Sequence, residues 1–434
     1  MTRQMDDTQI HPRILMLASP ADFVDEMPNI GDRALQRGLR DLIKDNVPGA
    51  QILEDEWNTF PFETFRHTQR SGVPIEKSYE TFEIRAAARP SIQLALYRML
   101  LSSAADRTPM MPRLDRWARR RTGQNFRQAI IPRLFPKLVA GQFAAKLAAS
   151  DVAIMNAGGL LSDHLAHYLP GRILSLHAAK QAGLRVAVVN YSFSILENET
   201  LRRLVRPTLQ AIDFHVVRES QSREALIELG VDKNRIVVSR DTAFYTNFGP
   251  AEPVTCRPRI ATFVRGDRPV DVPAWSALVN WMRAELDVEV IYLHGCHKDD
   301  PAVRAALDAA CKLDNERSPL DNTGTMRALS ECALVVSDRY HGLVFAIQAE
   351  VPIVPIASTT HKTAGLLKDL GLSLPVLPSL RADHLERYKT AIRHAYEARK
   401  SLTRDLAGQA AMARKTLVDD YRSVFGCLGL MSRR

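Results

Sequence analysis

The stretch ALVVSDRYHGLVFAIQAEVPIVP, residues 333–355, decides the fold. Residues 333–336 form an apolar, valine-rich run suited to a buried strand. A polar cluster from Ser337 to Gly342 follows. Leu343, Val344, Ile347 and Val351 then recur at helical spacing, and residues 353–356 read as another strand. A strand–loop–helix–strand unit of this kind belongs to an open parallel α/β sheet, where ligands bind outside the carboxyl ends of the strands. Arg339 and His341 stand at that position. Arginine offers a planar fork of donors to a phosphate or carboxylate, and histidine exchanges a proton near neutral pH. Two positions apart in a tight loop, both side chains are expected to reach one pocket. The plainer alternative is a surface loop whose Arg339 pairs with an acid and whose His341 caps the helix.

The same unit recurs outward from this stretch. Residues 13–18 read as a first buried strand, followed by a loop and a helix beginning near Asp32. Asn29, Gly31 and Asp32 lie at that strand-to-helix turn. Gly31 allows close backbone approach and the helix N-terminus favours an anion, while Asp32 is expected to cap the helix. Residues 152–156 read as a strand entering Ala157, Gly158 and Gly159. Paired glycines there either turn backbone N–H groups toward a ligand or simply mark a tight turn. Asp163 follows, able to accept from a sugar hydroxyl or to cap a helix. Strands are expected at 185–191, 214–217 and 235–239. Arg218 ends the second of these, repeating the placement of Arg339; pairing with Asp213 or Asp241 is its plainer explanation. A second strand–helix series opens at 259–264, and Lys362 precedes a helix at 364–370, where it is placed to meet a phosphate or simply to face solvent. His294, Cys296, His297 and Asp299 fall in one loop, but their spacing matches no standard metal site, and no metal is expected.

At 434 residues the chain exceeds what one hydrophobic core usually organises. The Pro- and turn-rich segment 246–258 serves as a linker. It separates residues 1–250 from a second domain at 258–380, with a charged helical segment at 381–434 packing back across both. The net charge of +9 favours anionic partners without choosing among them. Five cysteines, an odd number with no CxxC pair, point to packing thiols in a reducing compartment, with the cytoplasm as the expected location. No stretch is long and apolar enough to cross a bilayer, so any membrane contact is peripheral. Residues 57–149 form an insertion whose arginines between 107 and 137 are interleaved with Trp117, Phe126 and Phe135. A solvated helical insertion and a docking surface for an anionic membrane or lipid-linked phosphate both fit it. No nucleic-acid motif accompanies the charge.

Taken in order, these pieces resemble the polysaccharide pyruvyl transferases. The resemblance rests on Asn29–x–Gly31–Asp32, the glycine turn from Ala157 to Asp163, and Arg218 with Ser222, Leu229–Gly230–Val231 and Asp241. It is strongest at Arg339–x–His341–Gly342 with Val351–Pro352, and extends to Lys362 before Leu370–Gly371–Leu372. Ala157 stands where a third glycine is usual, and Tyr340 where leucine is common. The resemblance implies an α/β pair of Rossmann-like domains facing across a cleft, a GT-B-like arrangement, with the basic insertion in the first domain. It also implies phosphoenolpyruvate as donor, no other cofactor, and a glycan or lipid-linked saccharide as acceptor.

On that expectation His341 is the general acid/base and Asp163 orients or deprotonates the acceptor. Arg218, Arg339 and Lys362 hold the donor's charges, and Asn29, Gly31, Asp32, Gly158, Gly159 and Gly342 shape the site. A nucleotide-sugar glycosyltransferase and a non-catalytic glycan- or lipid-phosphate-binding protein are the competing readings. Acceptor identity and oligomeric state are open.

Overall fold

The computed structural model describes residues 11–17, 29–54, 111–122, 142–159, 161, 169–194, 196–197, 199–246, 257–315, 318–319, 321–358 and 360–431. Within them the chain runs β1 (Arg13–Leu17), α1 (Ile30–Asn46), β2 (Gln51–Glu54), α2 (Met111–Thr122), α3 (Gln142–Ala148), β3 (Val152–Gly158) and α4 (Leu169–Gln181). It continues β4 (Arg185–Tyr191), α5 (Glu199–Ala211), β5 (Phe214–Val217), α6 (Ser220–Glu228) and β6 (Ile236–Val238). The second series is β7 (Arg259–Phe263), α7 (Val272–Leu286), β8 (Glu289–Tyr292), α8 (Asp300–Cys311), α9 (Asn322–Ser330), β9 (Cys332–Ser337), α10 (Tyr340–Gln348), β10 (Ile353–Pro355) and α11 (Lys362–Asp369). Two helices end it, α12 (Leu385–Glu397) and α13 (Arg399–Cys427).

Two separate parallel sheets result, ordered β2-β1-β3-β4-β5-β6 and β10-β9-β7-β8. Each order reverses once, between β1 and β3 in the first sheet and between β7 and β9 in the second. Crevices form at such reversals, outside the carboxyl ends of the strands. Both faces of each sheet are covered, which is why the strands read as continuous apolar runs rather than alternating ones. In β1, Ile14 and Met16 enter one apolar cluster while Leu15 and Leu17 enter another. In β7, Ala261 and Phe263 face the first of these clusters and Ile260 a third. The shared cluster joins the two sheets through α1, α10 and α13.

Helix α13 is what ties the halves together. Its Leu417, Tyr421 and Phe425 are fully buried in the shared cluster. Arg422 Nε donates to Asn46 Oδ1 at 2.6 Å at the end of α1. The charged helical segment expected from 381 consists of two helices, the chain leaving α12 at Ala398 before the long helix α13 begins. Further bonds cross between the halves: Ser220 N donates to Asp369 Oδ2 at 2.7 Å, and Arg240 Nη2 to Asp369 O at 2.7 Å. Most of the expected linker, 247–256, lies outside the described residues.

Candidate active site

The loop that opens α1 meets the second sheet directly. Asn29 caps the helix, its side-chain oxygen accepting from Gly31 N at 2.9 Å and Asp32 N at 3.3 Å. This corrects the expectation that Asp32 is the cap. Asn29 satisfies the orphan N–H groups, which frees Asp32 to face the cleft from the first helical turn. Asn29 also bridges to Cys296, and Ile30 N donates to Gly295 O at 3.1 Å. The loop after β1 is thus stitched to the loop after β8, the edge strand of the second sheet. Gly31 lies so close to His341 that a Cβ there would fall 1.8 Å from its Nδ1.

A cleft of about 450 Å³ opens along this seam, lined from the first half by Asn29, Asp32, Gly159, Ser192, Ser194 and Arg218. From the second come Arg265, Arg268, Arg339, His341, Gly342, His361 and Lys362. Arg218 and Arg339, from opposite halves, both line this one cleft. Gly158 is not part of this lining; its φ of +53 is a left-handed conformation that glycine adopts without strain. Asp163 lies outside the described residues.

Each expected arginine already has an acid. Arg218 is almost fully buried: Nη1 donates to Asp241 Oδ2 at 2.7 Å and Nη2 to Ser192 Oγ at 2.7 Å. Its guanidinium carbon stands 4.5 Å from the ring centroid of Tyr340, so the departure from leucine at 340 gives the charge an aromatic face to rest on. Of the two alternatives for its acid, Asp241 is the partner; Asp213 instead takes Lys180 at 2.7 Å. Arg339 bonds Asp300 Oδ1 through Nη2, and Asp300 also accepts from Gly295 N and Cys296 N, both at 2.8 Å. One carboxylate therefore orients Arg339 and shapes the loop that receives α1.

His341 Nε2 lies 3.3 Å from Asp241 Oδ2, the oxygen that also takes Arg218. Burial works to raise the Asp241 carboxyl, but His341 and Arg218 beside it outweigh that and hold it below the usual carboxylate range. Ser222 closes a second network: its hydroxyl donates to Glu219 Oε2 at 2.9 Å and lies 3.1 Å from His361 Nε2 of the other half. Burial, with Arg265 and Arg218 nearby, pushes Lys362 down to about 7. Burial raises Asp32 against the opposing pull of His341, Arg218 and Lys362.

Arg265 and Arg268 were missed by the residue-by-residue reading. Arg265 Nε donates to Asp267 Oδ1 at 2.8 Å. Arg268 has buried Nε and Nη2 atoms with no partner among the described residues. A signal existed: both follow β7 at its carboxyl end, the placement that singled out Arg218 and Arg339.

A family profile described as polysaccharide pyruvyl transferase matches residues 29–360, well over half of the chain. The amylovoran biosynthesis protein AmsJ of Erwinia amylovora is 23% identical over 375 residues, 79% of this chain and 84% of that protein. Among solved structures, a putative UDP-N-acetylglucosamine 2-epimerase of Listeria monocytogenes superposes with TM-score 0.54 at 15% identity, over 96% of this chain and 97% of that one. The MnaA–UDP structure from S. aureus superposes with TM-score 0.52 at 13% identity, over 98% of each chain. These likenesses establish the two-domain, GT-B-like α/β fold.

Proposed function

The chain belongs to the polysaccharide pyruvyl transferase family, and on that premise we propose that it moves the enolpyruvyl group of phosphoenolpyruvate onto a pair of sugar hydroxyls. The product is a pyruvate ketal on an exopolysaccharide or cell-surface glycan precursor. The observation that carries this reading is the cleft itself, where Arg218 from the first half and Arg265, Arg268, Arg339 and Lys362 from the second share with His341 and His361 a space of about 450 Å³. That suits a small donor bearing a carboxylate and a phosphate, and AmsJ supports a role in polysaccharide biosynthesis.

The charge inventory assigns the donor contacts. Arg218, Arg265 and Arg339 are balanced by Asp241, Asp267 and Asp300, so they position the donor through directed N–H groups more than through net charge. Among the described residues Lys362 and Arg268 have no ion pair of this kind, and they face the donor's phosphate and carboxylate. In the reaction a proton adds to the methylene carbon and one sugar oxygen bonds to the central carbon. The C–O bond to phosphate then breaks, and the second hydroxyl closes the ketal as it loses its proton. One hydroxyl proton balances the new methyl group and the other leaves with the phosphate. His341, oriented by Asp241, transfers these protons, and the surrounding N–H donors stabilise charge as phosphate departs. Asp163 orients the acceptor, as its place after the glycine turn suggests.

Mass spectrometry of surface glycan from cells with and without the protein tests the reaction. The expected result is loss of a pyruvate ketal when the protein is absent. An unchanged glycan, together with titrations showing that the purified protein binds UDP- or GDP-sugars and not phosphoenolpyruvate, would sink the proposal.

A further inference from the structure

Helix α2 is a different kind of surface. Its twelve residues, MPRLDRWARRRT, hold five arginines against one acid, Asp115. Arg113, Arg116, Trp117, Arg120 and Arg121 fall at i, i+3, i+4, i+7 and i+8, the spacing of a single helical face. All five side chains are exposed, whereas Ala118 on the opposite side is fully buried. Trp117 keeps 46% of its surface in solvent. The Arg121 guanidinium carbon lies 5.1 Å from the Trp117 ring centroid, so a cation and an indole are presented together. None of these residues lines the cleft.

We infer that this face of α2 rests on an anionic lipid surface and holds the protein at a membrane without crossing it. Three physical facts converge. A cluster of four or more arginines on an amphipathic helix is attracted to anionic headgroups. A helix of this length spans about 18 Å, so successive charges lie within roughly one Debye length and act together. An indole beside cationic side chains is the pairing favoured at a membrane–water boundary, with the ring at headgroup depth and the charges on the phosphates. Among the described residues no helix is long and apolar enough to span a bilayer, so the contact is interfacial. Nucleic acid would satisfy the charge, but α2 itself presents a single aromatic ring, Trp117, where stacking platforms present several along a groove. The inference stands on α2 alone and does not depend on which reaction the cleft performs.

The test is co-sedimentation of the full chain with vesicles of phosphatidylglycerol and phosphatidylcholine, compared with phosphatidylcholine alone. Binding is expected only with the anionic lipid and should weaken steeply with added salt. Each neutralised arginine lowers partitioning about fivefold, so R116Q/R120Q/R121Q should lose on the order of a hundredfold. Affinity for phosphoenolpyruvate should be unchanged, which separates a lost membrane surface from a damaged cleft. Circular dichroism checks the triple variant's fold. A second readout uses the intact charge set: brominated phosphatidylglycerol should quench tryptophan emission in the wild type but much less in Trp117→Phe. Wild-type vesicle binding by the triple variant would overturn the inference. So would equal binding to phosphatidylcholine, or tighter binding to a DNA oligonucleotide than to anionic vesicles.

Discussion

Gly31→Ala puts the proposed chemistry under the sharpest strain the structure offers. The new methyl carbon would sit 1.8 Å from His341 Nδ1 and 2.1 Å from Cγ. Non-bonded atoms of this kind rest at about 3.5–4.0 Å, so the overlap exceeds an ångström. Neither side can yield freely. Gly31 is held in the first turn of α1 by the Asn29 cap and by the backbone bond from Ile30 N to Gly295 O at 3.1 Å. His341 lies in the first turn of α10, with Nε2 3.3 Å from Asp241. Either the imidazole swings away from Asp241, or the two sheets separate along the cleft. Overpacking of this sort costs about 1–3 kcal/mol of stability. A displacement near 1 Å at a reacting group lowers turnover on the order of a hundredfold. The assay is the pyruvate content of surface glycan in cells carrying only the variant, with titration of phosphoenolpyruvate and a melting curve on the purified protein. Gly408→Ala in α13 is the control, because a Cβ there meets nothing within 4 Å and should leave stability equal or slightly higher. Full ketal formation by Gly31→Ala, with its fold intact, would refute the claim that the position of His341 governs the reaction.

Three further outcomes follow from the same geometry. His341→Ala should lower ketal formation by about 10²–10⁴-fold with donor affinity largely kept, and Asp241→Asn should lower it less while shifting the pH profile; near-normal turnover in His341→Ala would remove it as the proton carrier. Arg268→Gln should weaken phosphoenolpyruvate binding more than Arg265→Gln, because Arg265 is already paired with Asp267 whereas two Arg268 nitrogens have no partner among the described residues; equal dissociation constants by calorimetry would contradict the charge inventory. Lys362, pushed down to about 7, carries its charge below that pH and loses it above, so donor affinity should fall as pH rises through about 7 and Lys362→Met should flatten that fall; a wild-type affinity constant from pH 6 to 8 would show that Lys362 does not meet the donor's charge.

The parallel α/β character was legible in the residues because it is local physics. Runs such as RVAVVNY at 185–191 suit strands buried on both faces, and helical spacing marks the segments between them. The placement of Arg218, Arg339, His341 and Lys362 was legible for a related reason: each stands where a strand gives way to a helix or a helix begins, which is where such sheets present their ligand sites. The packing of the two sheets decided the rest. Asn29 rather than Asp32 caps α1, since the cap choice depends on where the loop lands against Gly295 and Cys296 of the other half. Asp241 serves Arg218 and His341 at once, though the second lies a hundred residues further along the chain. Gly31 matters through its contact with His341, not through any need for unusual backbone angles. Sequence pattern records burial and periodicity along a segment. Which acid neutralises which cation, and which cation is left to hold a substrate, is settled only when distant segments share one low-dielectric space.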